Sequence, residues 1–329
     1  MKMFKLFVWF ILFWVGSNGN EYKNPIALSA PDPWMQYYNG YYYLVATTWT
    51  NEIGIRKAST LGGLVDVENT IVYTFDGHTA WAPEIHLIDD RWYLLYCSCA
   101  PNTENYACHR NHVAQSATDD PMGPYTFLAD LDEPSDQTME LDPSYIFING
   151  QLYLLGSYIG DTQNLYIRPM ANPYTPTAAK SFLAAPTYDW EIEGGTTNEG
   201  PEPLYGRDGK IFVVYSASSC NTPNYKLGLM QFTGTDPLNS THWYKYPDPV
   251  FQRSDENHVY GPGHNGFFRS PDGTEDWIVY HGNEKDTEGC GMGGHPERRN
   301  TPGLPMAYLF SVYQKLLTLR IQHHLENRD

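Results

Sequence analysis

Five stretches of the chain share one order of apolar and polar positions: APDPWMQYYNGYYYLVAT, WAPEIHLIDDRWYLLYCS, ELDPSYIFINGQLYLLGS, EGPEPLYGRDGKIFVVYS and GPGHNGFFRSPDGTEDWIVYHG. Each carries an early proline, at Pro33, Pro83, Pro143, Pro201 and Pro262. A turn pair follows, at Asn39-Gly40, Asp89-Asp90, Asn149-Gly150, Asp208-Gly209 and Asp272-Gly273, and then a strand that opens on aromatic or aliphatic residues. The step from proline to the matching aliphatic residue is 11 at Leu44, Leu94 and Leu154, 12 at Val213 and 16 at Ile278, where the turn is longer. Asn-Gly and Asp-Gly supply the positive φ angles of tight hairpin turns, so each stretch predicts a β-hairpin. Successive prolines stand 50, 60, 58 and 61 residues apart, which leaves room for two more strands per repeat. Such units arranged radially protect their sheet edges by repetition. The expected class is therefore all-β, a five-bladed β-propeller with four-stranded blades. A β-sandwich with coincidental turns is the alternative, and five matched units at near-constant spacing count against it.

The two ends read differently from the repeats. Lys2 and Lys5 precede an apolar run, Leu6 to Val15, followed by Gly16-Ser17-Asn18-Gly19. That layout predicts a secretory signal peptide over residues 1–20, too short to span a bilayer comfortably as a retained anchor. Residues 21–300 then form the propeller. Residues 301–329 are atypical: Tyr313 to Leu325 has helix-like spacing and basic character, so this segment is expected to be helical or poorly ordered.

Composition narrows the function. Lys and Arg number 21 against 38 Asp and Glu, a net charge of −17, which excludes binding to nucleic acid or an anionic membrane. Hydrophobic residues at 41% exclude global disorder. Gly, Pro and Tyr, at 28, 24 and 26, suit many short strands and turns. In an oxidising compartment the five cysteines permit disulfides, with Cys99–Cys108 the expected local bridge and at least one thiol left over. Asn239-Ser240-Thr241 is an N-glycosylation sequon.

In a propeller the first strand of each blade lines the central channel. Asp32, Glu84, Asp142, Glu199, Glu202 and His264, all near the five prolines, would then converge at one end of the axis. Facing carboxylates suit glycoside hydrolysis: a protonated one supplies a proton to the leaving oxygen while an ionised one activates water. A third nearby raises the acid's pKa by like-charge repulsion.

Asp32-Pro33 before YYYL, Trp81-Ala82-Pro83-Glu84, Asp142-Pro143-Ser144 before LYLL, Glu199-Gly200-Pro201 and Gly263-His264-Asn265 together resemble glycoside hydrolase family 43. Tyr215-Ser216-Ala217-Ser218-Ser219-Cys220 and Tyr225-Lys226-Leu227-Gly228-Leu229 resemble its exo-acting α-L-arabinofuranosidases. The resemblance implies inverting hydrolysis, with Asp32 as general base, Glu199 as general acid and Asp142 tuning the acid. It also implies a strand past Gly294 that closes the last blade, with an arginine near the axis for which Arg298 and Arg299 are candidates, and the sequence there departs from the family's pattern. The Glu-Gly-Pro match alone selects Glu199, and Glu202 stays in reserve. For His264 three readings stay open: a ligand of a hydrated calcium in the channel, a substrate hydrogen bonder, or a packed core residue. No cofactor is required. Trp34 and Trp81 are candidates to stack on a sugar ring. The expectation is a secreted, monomeric enzyme acting on plant cell-wall arabinan or arabinoxylan. β-Xylosidase, endo-arabinanase and a non-catalytic carbohydrate-binding propeller are the alternatives.

Overall fold

Tight turns set the hairpins. In the computed structural model, which describes residues 22–103, 106–133, 138–290 and 306–311, Asn39, Asp89, Asp90 and Asn149 take positive φ, as do Gly40 and Gly150. These pairs close two-residue loops between β1 (Trp34–Tyr38) and β2 (Tyr41–Val45), β5 (His78–Ile88) and β6 (Arg91–Cys99), and β9 (Glu140–Ile148) and β10 (Gln151–Ile159). Positive φ at both loop residues gives the backbone twist that matches paired strands. The fourth and fifth hairpins, β14 (Asn198–Tyr205) with β15 (Ile211–Ala217) and β18 (Tyr260–Arg269) with β19 (Asp276–Asn283), use longer turns.

Each hairpin grows outward into an antiparallel sheet. β3 (Glu52–Ala58) and β4 (Thr70–Thr74) complete the first, and β7 (Arg110–Ser116) and β8 (Tyr125–Asp130) the second. The third adds β11 (Gln163–Asn172), which pairs with both β12 (Thr175–Pro176) and β13 (Ser181–Ala184). β16 (Lys226–Phe232) and β17 (Trp243–Lys245) complete the fourth. The last sheet has three strands among the described residues, β18, β19 and β20 (Met306–Ser311). The protein is an all-β propeller whose described helical residues form only short 3₁₀ turns. Among the described residues four blades are complete, against the expected five of four strands each; one of the four carries a fifth strand.

The innermost strands pack around a ring, β1 on β5, β5 on β9, β9 on β14, β14 on β18 and β18 on β1. Apolar clusters fill the spaces between neighbouring sheets. Tyr43, Ile53, Ile85, Trp92 and Leu94 join the first two, and Ile146, Leu155, Val213 and Met230 join the third and fourth. Each fully buried side chain of this kind contributes about 1.5–3 kcal/mol.

The last sheet reaches Ser311, past the domain boundary expected at residue 300, and its outer strand is β rather than helical. The N-terminal segment meets that strand. Ile26 N–H donates to Ala307 O at 2.9 Å, and Ala307 N–H donates to Ala27 O at 3.1 Å. Ile26, Ala27 and Ala307 are fully buried in one cluster with Met35, Leu44 and Val279. The expected leader at 1–20, Arg298, Arg299 and the helix-like stretch 313–325 lie outside the described residues. Because Ala307 is sealed on both sides, Ala307→Asp buries an unpaired carboxylate in the joint. It should lower the melting temperature by roughly 6 °C or more in a thermal unfolding scan; an unchanged midpoint would mean that this contact does not hold the ring.

Candidate active site

Each sheet carries a left-handed residue at an equivalent place, in or just before its innermost strand: Asp32 (φ 51°), Ala82 (43°), Asp142 (56°), Gly200 (52°) and His264 (42°), with Thr79 (55°) and Gly261 (56°) as further left-handed residues of the second and fifth strands. In the last four strands the register shifts around these residues, the mark of a bulge. Residues with a Cβ pay about 1–2 kcal/mol for such a conformation, and hydrogen bonds to neighbouring sheets offset it. Asp32 N–H donates to His281 Nδ1 (3.2 Å), Ala82 N–H to Thr47 Oγ1 (2.8 Å), Gly200 N–H to Asp142 Oδ2 (3.0 Å) and His264 N–H to Ser216 Oγ (2.7 Å). The Asp142 backbone bonds to the Cys97 side chain. Prolines follow the first four of these residues, but Asn265 follows His264. Gly261, also left-handed, precedes Pro262, but Phe267 pairs with Ile278 as Met35 pairs with Leu44, so Asn265 and not Pro262 is the fifth counterpart of the repeat's prolines.

Asp32, Asp142, Glu199 and His264 line one cavity of about 300 Å³. The structure thus brings together all three predicted carboxylates and the predicted histidine. Gly200 lets the fourth blade approach, because a Cβ there would stand 3.2 Å from the His264 ring. Asp32 accepts from Thr47 Oγ1 at 2.6 Å and lies 3.2 Å from His264 Nδ1 and 3.3 Å from His281 Nδ1. Burial alone would raise its pKa, but His264, His281 and Thr47 outweigh burial and hold the carboxyl well below the usual range. Glu199 accepts from Tyr225 OH at 2.7 Å and Gln163 Nε2 at 2.8 Å. Burial first, and then the charge of Asp142, push its pKa up to about 7. Asp142, itself raised mainly by burial, accepts from Ser157 Oγ and Gly200 N–H. Burial would lower the pKa of His264, but Asp32, Asp142 and Glu199 raise it above the ordinary imidazole value. One cavity therefore holds an ionised carboxylate and a carboxylic acid that keeps its proton close to neutrality, the division of labour that acid–base hydrolysis needs.

The profile of the glycosyl hydrolases family 43 matches residues 22–304. The chain belongs to this family. As a member of family 43 it is 35% identical over 292 residues to an extracellular exo-α-(1→5)-L-arabinofuranosidase of Streptomyces avermitilis, covering 84% of this chain and 60% of that protein's length. It is 33% identical to a protein of the same name from Streptomyces chartreusis, covering 79% of this chain and 82% of that one. A crystal structure of an α-L-arabinofuranosidase from Lactobacillus brevis superposes with a TM-score of 0.77 at 30% identity, covering 88% of this chain and 93% of that one.

The aromatic candidates part ways in this family 43 site. Trp81 lines the cavity and stacks on His109 with ring centroids 3.7 Å apart. Trp34 lies outside it, in the apolar cluster between the first two sheets, with its ring 5.0 Å from His86. Glu202 also turns away from the cavity lining. It pairs with Glu84, whose Oε2 lies 2.6 Å from His86 Nε2, and burial followed by Glu84 raises Glu202 well above the carboxylate range. The geometry thus favours Glu199 over the reserve.

Sequence reading missed Thr47, Gln163, Tyr225 and His281. Thr47, two residues past β2, and His281, on β19, meet Asp32, just as Ser157, on β10, meets Asp142. That shared place, three residues after Leu44, Leu154 and Ile278, is a signal the repeat contained. Tyr225 reaches Glu199 over Gly263, where a Cβ would stand 2.2 Å from the tyrosine ring. The Cys99–Cys108 bridge forms as expected, Cys220–Cys290 forms at the cavity rim, and Cys97 is a buried free thiol.

Calcium takes six to eight oxygen ligands. The carboxylates around His264 already accept hydrogen bonds from Thr47, Ser157, Gly200, Gln163 and Tyr225. They do not form a direct cage, and an ion on the His264 ring would be held chiefly through its own water shell. The Thr47 hydroxyl, in contrast, serves two blades at once. Thr47→Val leaves the buried Ala82 N–H without that acceptor and should cost about 2 kcal/mol in chemical denaturation; stability equal to wild type would show that the linkage carries no weight.

Proposed function

We propose that the protein removes terminal α-L-arabinofuranosyl residues from arabinan or arabinoxylan by single-displacement, inverting hydrolysis. The observation that supports this reading is the opposed protonation of Asp32 and Glu199 across one cavity. In the proposed reaction Asp32 takes a proton from a water molecule, whose oxygen attacks the anomeric carbon. Glu199 gives its proton to the glycosidic oxygen as that bond breaks. Asp142 keeps Glu199 protonated through repulsion, and Tyr225 and Gln163 orient its carboxyl group. Trp81 offers a ring face to the sugar. No step runs through a metal. The small cavity, with the Cys220–Cys290 bridge at its rim, supports action at a chain end. The sheet β18–β20, joined by residues 26–27, serves in this reading as the closing fifth blade. The leader pattern, two disulfides and the relatives named as extracellular support a secreted protein, acting as a monomer.

Asp32→Asn or Glu199→Gln should lower turnover of p-nitrophenyl α-L-arabinofuranoside by about 10³-fold while leaving the thermal midpoint near wild type. Wild-type turnover by either variant would overturn the assignment. Release of p-nitrophenol from the β-xyloside instead would replace arabinose with xylose as the substrate sugar. NMR of the first-formed sugar should show inverted configuration.

The pH profile tests the electrostatics separately. Glu199 must be protonated, so activity should fall as pH rises through about 7. Asp142→Asn removes a repelling charge and should move this basic limb to lower pH. Tyr225→Phe removes a hydrogen bond that favours the charged form, and so should move it to higher pH. Limbs that stay in place in both variants would mean that another group sets the profile.

A further inference from the structure

A second cavity, of about 540 Å³, opens between the outer part of the first sheet and the second sheet. That volume lies within the range of ligand sites. Its rings form a continuous belt. Tyr73 stacks on Phe75 at 5.8 Å, both meet Tyr96 at 5.6 and 5.2 Å, Tyr96 meets His112 at 5.1 Å, and His112 meets Phe127 at 6.3 Å. Phe127 is 53% exposed despite its size and apolar ring.

The polar lining is acidic, with Asp76, Asp130, Asp132 and Glu133 against Arg110 and His112. His112 Nδ1 lies 2.7 Å from Asp130 Oδ1, and this hydrogen bond holds the Asp130 carboxyl below its ordinary range. Burial, and then Glu140, raise Asp132 to about 9, so it keeps a proton. The cavity thus combines an ionised acceptor, a protonated acid and ring faces. Its negative charge disfavours anions. A neutral polyhydroxylated ligand fits both halves of the lining, its hydroxyls on the carboxyl groups and its C–H faces on the rings.

The cavity also adjoins the catalytic one. Trp81 lines the catalytic cavity and stacks on His109, whose Nδ1 lies 3.3 Å from Cys99 Sγ. Cys99 and Cys108, bridged to each other, line the second cavity. The contacts Trp81–His109–Cys99 thus link the walls of the two.

We propose that this cavity is a second carbohydrate-binding site, which holds a neutral sugar unit of the polysaccharide whose end enters the catalytic cavity. The link to catalysis rests on the arabinofuranosidase reading; the binding itself does not. Phe127→Ala and Asp130→Asn alter groups outside the catalytic cavity, and unchanged melting temperatures would confirm that both variants fold. Initial rates on polymeric arabinan or arabinoxylan should fall about fivefold in Phe127→Ala, while p-nitrophenyl α-L-arabinofuranoside is hydrolysed at the wild-type rate. In the Glu199→Gln background, both substitutions should weaken retardation in gels containing either polysaccharide. Equal polymer rates together with equal retardation would overturn the second site, and so would an equal loss on the small substrate. If the wild-type chain hydrolyses neither substrate but retardation still depends on Phe127, the arabinofuranosidase reading fails and the second site stands.

Discussion

The backbone N–H of a left-handed residue at an equivalent place in each sheet, bonded to a group on the preceding sheet, is the contact on which the site depends. Asp32 is held by His281, Ala82 by Thr47, Asp142 by Cys97, Gly200 by Asp142 and His264 by Ser216. Without these bonds the left-handed conformation would be an uncompensated strain at four residues that carry a Cβ. With them, the same contacts that fix neighbouring sheets to one another also aim Asp32, Asp142 and His264 into one cavity. Assembly of the ring and positioning of the chemistry are in this respect one event.

Electrostatic division follows from that placement. Asp32 and Glu199 are both half-buried carboxylates, and desolvation alone would push both toward the neutral form. Asp32 escapes because two imidazole rings and a hydroxyl meet it. Glu199 does not, since its partners are neutral and a carboxylate stands nearby. Away from the cavity, Glu84 and Glu202 face one another, and Glu202 rises well above the carboxylate range. The ring therefore carries several acids close together without forcing all of them to ionise.

The bridges fix loops rather than blades. Cys99–Cys108 spans only 9 residues, beside the wall between the two cavities, whereas Cys220–Cys290 spans 70 and joins the loops after β15 and β19 at the catalytic rim. Where residues 26–27 meet β20, the joint depends on backbone pairing and buried aliphatic carbon.

Local chemistry made the hairpins legible in the sequence. Asn39-Gly40 and Asn149-Gly150 can turn in few other ways, and the prolines marked the neighbourhood of Asp32, Asp142 and Glu199. Those signals act within a dozen residues, and they gave the blade repeat, the carboxylates and the local Cys99–Cys108 bridge. Contacts between sheets were not legible. Trp34 and Trp81 look alike beside their prolines, yet only the packing of neighbouring blades puts one in the core and the other at the cavity. Glu199 and Glu202 flank Pro201 closely, and the register shift between them decides which faces Glu84 and which faces Tyr225. Pro262 occupied the expected place in the text of the repeat, whereas the strand register gave it to Asn265. His281 reaches Asp32 across 249 residues of chain, a contact that no local spacing encodes. Turn chemistry is a property of adjacent residues; partners and protonation states arise only when distant strands close into a ring.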